Sequence, residues 1–577
     1  MIVKFDGTSA SKETMAAVRQ IKGILGEAQF IGGMSAILED TKALVNQEMP
    51  LYILCAVGCS LLVLFLSLEE TVVPLIFMLG IAFPIVYNFG TNIFLGQISY
   101  ITQALATVLQ LGVTMDFSIF LLHRYEEEKQ RLCAAKGEPA GPQQAEQAMV
   151  KAICNTASSI AGSSLTTIAG FLAMCTMSLT LGSDIGIVMA KGVALGVVCT
   201  VTILPALILT FRKAVTKHRH RTFIPKLGRT ARFVTKRYAA ILAVFVLLLV
   251  PFGAAQSKTG VYYTLFDSLP QDMTGIVGTN RLKEDLSMTT THFIMVDDSL
   301  PGAQMKAMSH ELAQVDGVTQ VLSYEQFVGG GIPDEMLPQE VSGIFHAGGH
   351  RMILANSSYE SGTQQQNEQL EQLNAIVKRY DPQGVISGEG AMTKDLIEVA
   401  DVDFRNVNVT SVLAVFLIVA LVFRSASIPV LLVAAIESAI TINMGIPYFT
   451  GTTLPFVASI VVGTIQLGAT VDYAILITTR FREELNRGSA TREAMRIAVE
   501  QSSQSILTSG LTFFAATASV ALVSRMELIR SLCLLISRGA LISMAVILLV
   551  LPAMLILAAP VIRKTTYHWL SKKECSR

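Results

Sequence analysis

Apolar residues gather along this 577-residue chain into eleven runs that polar or charged stretches separate. A helix needs roughly 20 residues to cross a hydrocarbon core of about 30 Å, and the runs are close to that length or longer. We therefore predict eleven transmembrane helices. The predicted spans are Leu51–Leu68, Val72–Asn88, Ile98–Leu122, Ala152–Leu179, Ile185–Leu209, Tyr238–Ala255, Val409–Phe423, Ile428–Tyr448, Leu454–Ile477, Ile506–Val523 and Leu532–Ala559.

The long polar interval between the sixth and seventh runs has a different pattern. Short or alternating apolar runs predict strands near 291–296, 318–323, 351–355 and 384–388, with helices between them. Strands and helices that interleave in this way indicate a small α+β sandwich. The predicted fold class is a multi-pass α-helical membrane protein that carries α+β domains outside the membrane.

The composition supports this class and narrows the chemistry. Hydrophobic residues make up 51% of the chain and charged residues 15%, whereas soluble domains carry roughly 25% charged residues. The net charge is zero, and we expect no nucleic-acid partner. No C-x-x-C pair, zinc spacing, nucleotide-binding loop or nucleophile elbow occurs, so we expect no metal, no cofactor and no enzyme activity.

The sequence repeats itself. LQLGVTMDF at 109–117 is echoed by IQLGATVDY at 465–473, which places Asp116 and Asp472 at the same position of the two copies. SSLT at 163–166 matches SGLT at 509–512, and Lys191 matches Arg538. Because both copies cross the membrane in the same direction, we predict two parallel halves related by an axis along the membrane normal.

The first copy is shorter than the second. The segment 1–40 resembles 351–396, but the helix Tyr238–Ala255 and about a hundred polar residues after it have no counterpart before Met1. We therefore expect the first half to lack its first helix and part of its first extracytoplasmic domain.

Basic residues predict the orientation. The stretch Arg212–Arg237 holds ten Lys or Arg and no acid, and such loops stay on the cytoplasmic side. Arg525 and Arg530 disagree locally, since crossings counted from that stretch put them outside. The predicted domains are 1–50 (remnant of the first extracytoplasmic domain), 51–211 (first-half helices), 212–237 (basic cytoplasmic linker), 238–255 (first helix of the second half), 256–407 (second extracytoplasmic domain), 408–560 (second-half helices) and 561–577 (cytoplasmic tail).

The two matched aspartates are the strongest candidates for chemistry. Ionisable groups at membrane depth cost roughly 2.5 to 3.5 kcal/mol and usually mark ion pathways. Arg124 and Arg480 each follow an aspartate by eight residues, about 12 Å of helix, which places both carboxyl groups well inside the core if the arginines reach the interface. We predict that Asp116 and Asp472 exchange protons; the alternative is that they only pack the bundle.

Other matched residues surround this pair. Gly112 and Gly468 precede the aspartates by one helical turn and are predicted to let helices approach closely. Lys191 and Arg538 could act as counter-charges, although a structural or headgroup role fits equally. Hydroxyl side chains on two helices could carry a water chain or simply pack: Ser164, Thr166, Ser509 and Thr512.

The sequences GVTMDFSIFLLHRYEEE (112–128) and GATVDYAILITTRFREE (468–484) resemble the GxxxDY-type motif of the MMPL branch of the RND superfamily. The resemblance covers essentially the whole chain. It implies a pseudo-symmetric bundle of six plus six helices, porter-type extracytoplasmic domains, and export of lipids or other hydrophobic molecules driven by the proton-motive force. In the family an Asp-Tyr pair in each half forms the proton relay, which maps onto Asp116 with Phe117 and Asp472 with Tyr473; Phe117 departs from the usual tyrosine.

Two alternatives remain at this point. An auxiliary of protein translocation similar to SecDF would use the same aspartate chemistry, and a non-transporting sensor of lipids or sterols would share the bundle. The leading prediction is a multi-pass protein of the cell membrane whose partners are protons, membrane lipids and a lipid or hydrophobic small-molecule substrate. The sequence leaves an oligomer open.

Overall fold

A computed structural model describes residues 3, 5, 7–25, 30–96, 98–136, 141–217, 220–224, 227–263, 269–286, 289–325 and 345–567. Its helices are α1 (Lys12–Ile24), α2 (Met34–Ser67), α3 (Val73–Thr91), α4 (Tyr100–Lys136), α5 (Pro142–Ala173), α6 (Thr180–Thr210), α7 (Arg212–Lys217), α8 (Gly228–Lys236), α9 (Tyr238–Gln256), α10 (Thr274–Leu286), α11 (Gly302–Ala313), α12 (Gln364–Tyr380), α13 (Glu389–Phe423), α14 (Ser427–Thr450), α15 (Phe456–Asn486), α16 (Thr491–Val523), α17 (Glu527–Leu549) and α18 (Leu551–Thr565). Its strands are β1 (Val261–Tyr262), β2 (Thr290–Asp297), β3 (Val318–Leu322), β4 (His346–Ala347), β5 (His350–Ser357), β6 (Val385–Gly388) and β7 (Leu454–Pro455).

Eleven helices within the described ranges are long and apolar enough to cross a membrane, which confirms a multi-pass membrane protein. They are α2 to α6, α9 and α13 to α17, with α3 and α5 each extended by a short 3₁₀ turn. The bounds differ from the predicted ones. The α2 helix has 34 residues, a length of about 50 Å, and starts at Met34 rather than Leu51 because its polar first half continues the same helix.

One predicted span is wrong in its extent. The sequence suggested a single helix from Leu532 to Ala559, but the helix stops at Leu549 and a new one starts at Leu551. Pro552 lies in the first turn of the new helix and has no N–H with which to continue the hydrogen-bond ladder. The span that crosses the membrane is therefore α17, and α18 is a separate element.

The chain divides into two compact units, Met1–Leu44 with Tyr262–Val402, and Val45–Val261 with Asp403–Arg577. In the first unit β2 pairs antiparallel with β5 and β6, and β5 also pairs with β3 and β4. The strands β2, β3, β5 and β6 lie where the alternating pattern predicts them. Side chains from one face of this sheet form a core with α11 and α12: Ile294, Val296, Met305, Leu312, Ile353, Leu373 and Val377.

The N-terminal segment belongs to the same unit. Asp40 accepts hydrogen bonds from the Thr274 hydroxyl (2.9 Å) and the Gly275 backbone N–H (2.7 Å), the groups that begin α10. A carboxylate at this position also stabilises the positive end of the helix dipole. The predicted resemblance of 1–40 to 351–396 is only partly accessible, because Met1, Ile2, Lys4, Asp6 and 26–29 lie outside the described residues.

The second unit, which we call the membrane unit, shows the repeat in its helices. The order α2 to α6 recurs as α13 to α17. The helices α4 and α15, which carry the aspartates, are 94% and 83% buried over their apolar stretches, whereas α9 is 6% buried. The acid helices are therefore at the centre of the bundle and α9 is at its margin.

Contacts across the halves also repeat. Asp403 of α13 accepts hydrogen bonds from the backbone N–H groups of Ser178 and Leu179, which precede α6, at 2.9 to 3.1 Å. Glu48, at the matching position of α2, accepts from the backbone N–H of Arg525 at 3.4 Å, just before α17. Each half thus uses one carboxylate to hold the loop that starts a helix of the other half.

Candidate functional site

Asp116 and Asp472 face the same small cavity in the middle of the membrane unit. The cavity has a volume of about 40 Å³, room for a few water molecules, and we call it the relay cavity. Each acid helix packs against the hydroxyl-rich helix of the other half, α4 against α16 and α15 against α5. The lining of the relay cavity includes Asp116, Phe117, Asp472, Tyr473, Ser159, Ser163, Ser505 and Ser509.

Glycines make this packing close. The helices that the acid helices approach at these glycines are the hydroxyl-rich helices α16 and α5. A Cβ added at Gly112 would lie 2.1 Å from the Phe513 ring on α16. A Cβ added at Gly170 of α5 would lie 3.4 Å from the Cα of Gly468. The missing side chains let the backbones approach and bring the aspartates within reach of the opposite helix.

Asp116 is held by a hydroxyl chain from the second half. The Ser509 hydroxyl donates to a carboxylate oxygen of Asp116, and its oxygen also lies 3.0 Å from the Tyr473 hydroxyl. A serine hydroxyl carries one proton, so while it donates to Asp116 the Tyr473 hydroxyl must be the donor in the second contact. Tyr473, Ser509 and Asp116 therefore form one directed chain of hydrogen bonds.

Asp472 has no such chain. Both of its carboxylate oxygens are buried and have no hydrogen-bond partner among the described residues. The Ser163 and Thr167 hydroxyls lie close enough to Asp472 to interact with its carboxyl group. Their well-formed hydrogen bonds go instead to the carbonyls of Ile160 (3.3 Å) and Gly468 (2.9 Å). A charged carboxylate without partners is costly, so a neutral carboxyl is the form this environment tolerates.

The difference between the two acids follows from Phe117. Tyr473 does not serve its neighbour Asp472; its hydroxyl reaches, through Ser509, the aspartate of the other half. The matching hydroxyl for Asp472 would come from position 117, where the sequence has phenylalanine. Phe117 therefore offers Asp472 no hydroxyl of the kind that Tyr473 offers Asp116.

The two candidate cations make their hydrogen bonds elsewhere. Lys191 Nζ donates to the Asn88 carbonyl (3.1 Å) and to Asn92 Oδ1 (2.5 Å). Arg538 donates from Nε to Asn443 Oδ1 and from Nη2 to the Asn443 carbonyl, both at 2.8 Å. These contacts fit a structural role; a role as counter-charge to the aspartates stays a prediction.

Sequence reasoning missed a matched pair of glutamines. Gln110 accepts a hydrogen bond from the Asn88 amide at 2.8 Å, and Gln466 accepts one from the Asn443 amide at 2.9 Å. Each glutamine lies six residues before an aspartate, about 9 Å along the helix. The sequence did contain a signal for this pair, since the glutamine is repeated in LQLG and IQLG. These amide pairs fix the acid helices against α3 and α14.

Three of the four hydroxyl residues predicted to carry a water chain donate hydrogen bonds within their own helices. The hydroxyls of Ser164, Thr166 and Thr512 donate to carbonyls three or four residues earlier in their own helices. Such bonds satisfy a hydroxyl locally. Among the four predicted residues, Ser509 is the one that donates a hydrogen bond to an aspartate. Across the described residues, no group of three or more His, Cys, Asp and Glu is placed to hold a metal ion.

Four ion-paired residues, which we call the ion-pair quartet, connect the two acid helices eight to eleven residues after the aspartates. Glu127 pairs with Arg124 (2.9 Å) and with Arg480 (2.7 Å), and Glu483 pairs with Arg480 (3.2 Å) and with Arg124 (3.7 Å). The four residues are two repeat pairs, so each half supplies one arginine and one glutamate. The quartet ties α4 to α15 at this end.

Comparison with known proteins gives a consistent result. A sequence model of the MMPL family matches residues 1–241 and 269–573. The membrane protein ActII-3 of Streptomyces coelicolor is 25% identical over 559 residues, 91% of this chain and 72% of its own length. The probable transport protein MmpL12 of Mycobacterium tuberculosis is 23% identical over 339 residues, 55% of this chain; the chain spans 29% of that relative's length.

A solved structure shares the fold. The crystal structure of SecDF from Thermus, a translocon-associated membrane protein, superposes with a TM-score of 0.57 over 89% of this chain and 62% of its own. Sequence identity is 14%, so this likeness concerns the fold alone.

Proposed function

The chain belongs to the MMPL family, and from this premise we propose that it exports a lipid or another hydrophobic molecule across the cell membrane at the expense of the proton gradient. The observation that supports this proposal is the relay cavity, which holds two membrane-buried carboxyl groups in unequal surroundings. Asp116 has a hydroxyl chain that can stabilise its anion, whereas Asp472 has no well-formed hydrogen bond among the described residues.

Unequal acids suit a proton relay. A proton on Asp472 keeps that group neutral, while the Ser509 hydroxyl stabilises the anionic form of Asp116. Transfer through a water molecule in the cavity would reverse the two charges and leave a charged carboxylate without partners at Asp472. That cost favours a rearrangement of α15 against α5 that turns the nearby Ser163 and Thr167 hydroxyls towards the Asp472 carboxylate.

The driving force is adequate for such a rearrangement. A proton that moves inward through a potential of about 100 mV releases roughly 2.3 kcal/mol. The substrate class rests on family membership, and MmpL12 is a transport protein by its name.

The test compares cells of the source organism with the locus intact and deleted, after labelling new lipid with radioactive acetate. We expect one lipid class to reach the surface in intact cells and to accumulate in the inner membrane of the deletion strain. A protonophore added at constant ATP should stop the transfer within minutes. Transfer that continues without a proton gradient would contradict the proposal. Loss of secreted proteins with unchanged lipids would instead favour a role like that of SecDF.

A further inference from the structure

A second, larger cavity lies beside the relay cavity in the membrane unit. It has a volume of about 770 Å³ and a largely charged lining that includes Glu70, Glu126, Arg480 and Glu500, and we call it the vestibule. Phe120, Leu476 and Ser505 line both cavities. These three side chains are therefore the partition between the relay cavity and the vestibule.

The vestibule lies at the end of the bundle that holds the basic linker. Glu69, in its lining, accepts a backbone hydrogen bond from His220 at 2.8 Å. A Cβ added at Gly228 would lie 2.9 Å from a carboxylate oxygen of Glu500, another lining residue. His220 and Gly228 belong to the basic stretch 212–237, which the positive-inside rule places in the cytoplasm. The vestibule thus leads from the relay cavity towards the cytoplasm.

One helix face connects the two cavities. Asp116, Phe120 and His123 follow one another on α4 at intervals of four and three residues, which places them in a row on the same face. The rise from Asp116 to His123 is about 10 Å. Asp116 faces the relay cavity, Phe120 belongs to the partition, and His123 lines the vestibule.

His123 has a free nitrogen at this point. Its Nδ1 lies 3.9 Å from a carboxylate oxygen of Glu126, while its Nε2 is buried without a hydrogen-bond partner among the described residues. The other charged groups around the ring are Glu70, Glu127 of α4, and Arg480 of α15. A structural histidine inside a protein normally satisfies both ring nitrogens.

The first half of the repeat has a histidine at this position and the second half does not. The residue that matches His123 in the second half is Thr479, which cannot carry a proton at physiological pH. The residue that matches Ser505 is Ser159, which lines the relay cavity but not the vestibule. Among the described residues, the row on α4 therefore carries a proton-binding side chain that the matching row on α15 lacks.

We propose that His123 is the proton acceptor on the cytoplasmic side of the relay and that the partition of Phe120, Leu476 and Ser505 gates its access to Asp116. The inference rests on the proposed function. When the partition opens, a water molecule carries the proton from the Asp116 carboxyl to His123 Nε2, which leaves a carboxylate and an imidazolium. The imidazolium then releases its proton to water in the vestibule, and the neutral ring is restored.

The test is chemical rescue of lipid export. His123→Ala should lower export about tenfold or more, as loss of a proton-transfer group commonly does. Millimolar imidazole should restore at least half of it, since the vestibule has room for the free base. Thr479→Ala is the matched control and should export like the wild type, which imidazole should leave unchanged. All variants are compared at equal protein level in the membrane.

Two results would overturn the inference while the proposed function stands. One is wild-type export by His123→Ala. The other is reduced export that imidazole does not raise, since a merely structural histidine would give that result. Asp472→Asn should stay inactive with and without imidazole; if it exports normally, the relay itself is wrong and this inference falls with it.

Discussion

Replacing either membrane aspartate by asparagine is expected to abolish export. Asp116→Asn and Asp472→Asn keep the side-chain volume but remove the exchangeable proton, so the loss should be on the order of 100-fold or more. Asp472 has no hydrogen-bond partner among the described residues, so its replacement by a neutral amide should leave the protein folded. The measurement is the amount of labelled lipid at the cell surface at matched protein level.

The control for these variants is another half-buried aspartate of the same unit. Asp184 accepts a hydrogen bond from the Ser99 backbone N–H at 3.3 Å and is not part of the relay cavity. Asp184→Asn should therefore export normally. Normal export by either relay variant, or equal loss in the Asp184 variant, would mean that the aspartates only support the bundle.

The second large effect is expected at a matched pair of serines. Ser509→Ala removes the hydroxyl that links Asp116 to Tyr473, and a hydrogen bond to a charged group contributes about 1.5 to 3 kcal/mol. Export should fall roughly 10- to 100-fold, since 1.4 kcal/mol corresponds to a factor of ten. Ser163→Ala, at the matching position of the first half, should have a smaller effect, because that hydroxyl donates to the Ile160 carbonyl and Thr167 remains beside Asp472.

The pair of variants tests the asymmetry itself. Equal losses in Ser509→Ala and Ser163→Ala would show that both aspartates use a serine in turn, and the proposed difference between them would be wrong. Initial rates of lipid appearance at the surface, measured side by side, decide between these outcomes.

Much of the fold follows from the sequence because hydrophobic length and repetition are strong signals. Eleven spans, four strands and the matched positions of Asp116 and Asp472 within membrane helices were predictable from runs of apolar residues and from one repeated motif. The break after Leu549 was not predictable, because Pro552 lies within an otherwise continuous apolar run. The helix break that accompanies its missing backbone N–H is seen only in the structure.

The site was less predictable because it depends on packing between the halves. Sequence pairs each aspartate with the aromatic residue that follows it, but neighbours on a helix point in different directions. The serine of α16 and the tyrosine of α15 meet Asp116 only when the helices are assembled. For the same reason the sequence did not reveal the vestibule or His123, which is one of several positions at which the two copies of the motif differ.

The most direct test of the central claim uses proteoliposomes that contain the purified chain, a pH-sensitive dye and the lipid extract of the deletion strain. Under an imposed pH gradient, the wild type should move protons and lipid together, and Asp472→Asn should move neither. Lipid movement without proton movement, or undiminished lipid movement by Asp472→Asn, would contradict a proton relay through these aspartates.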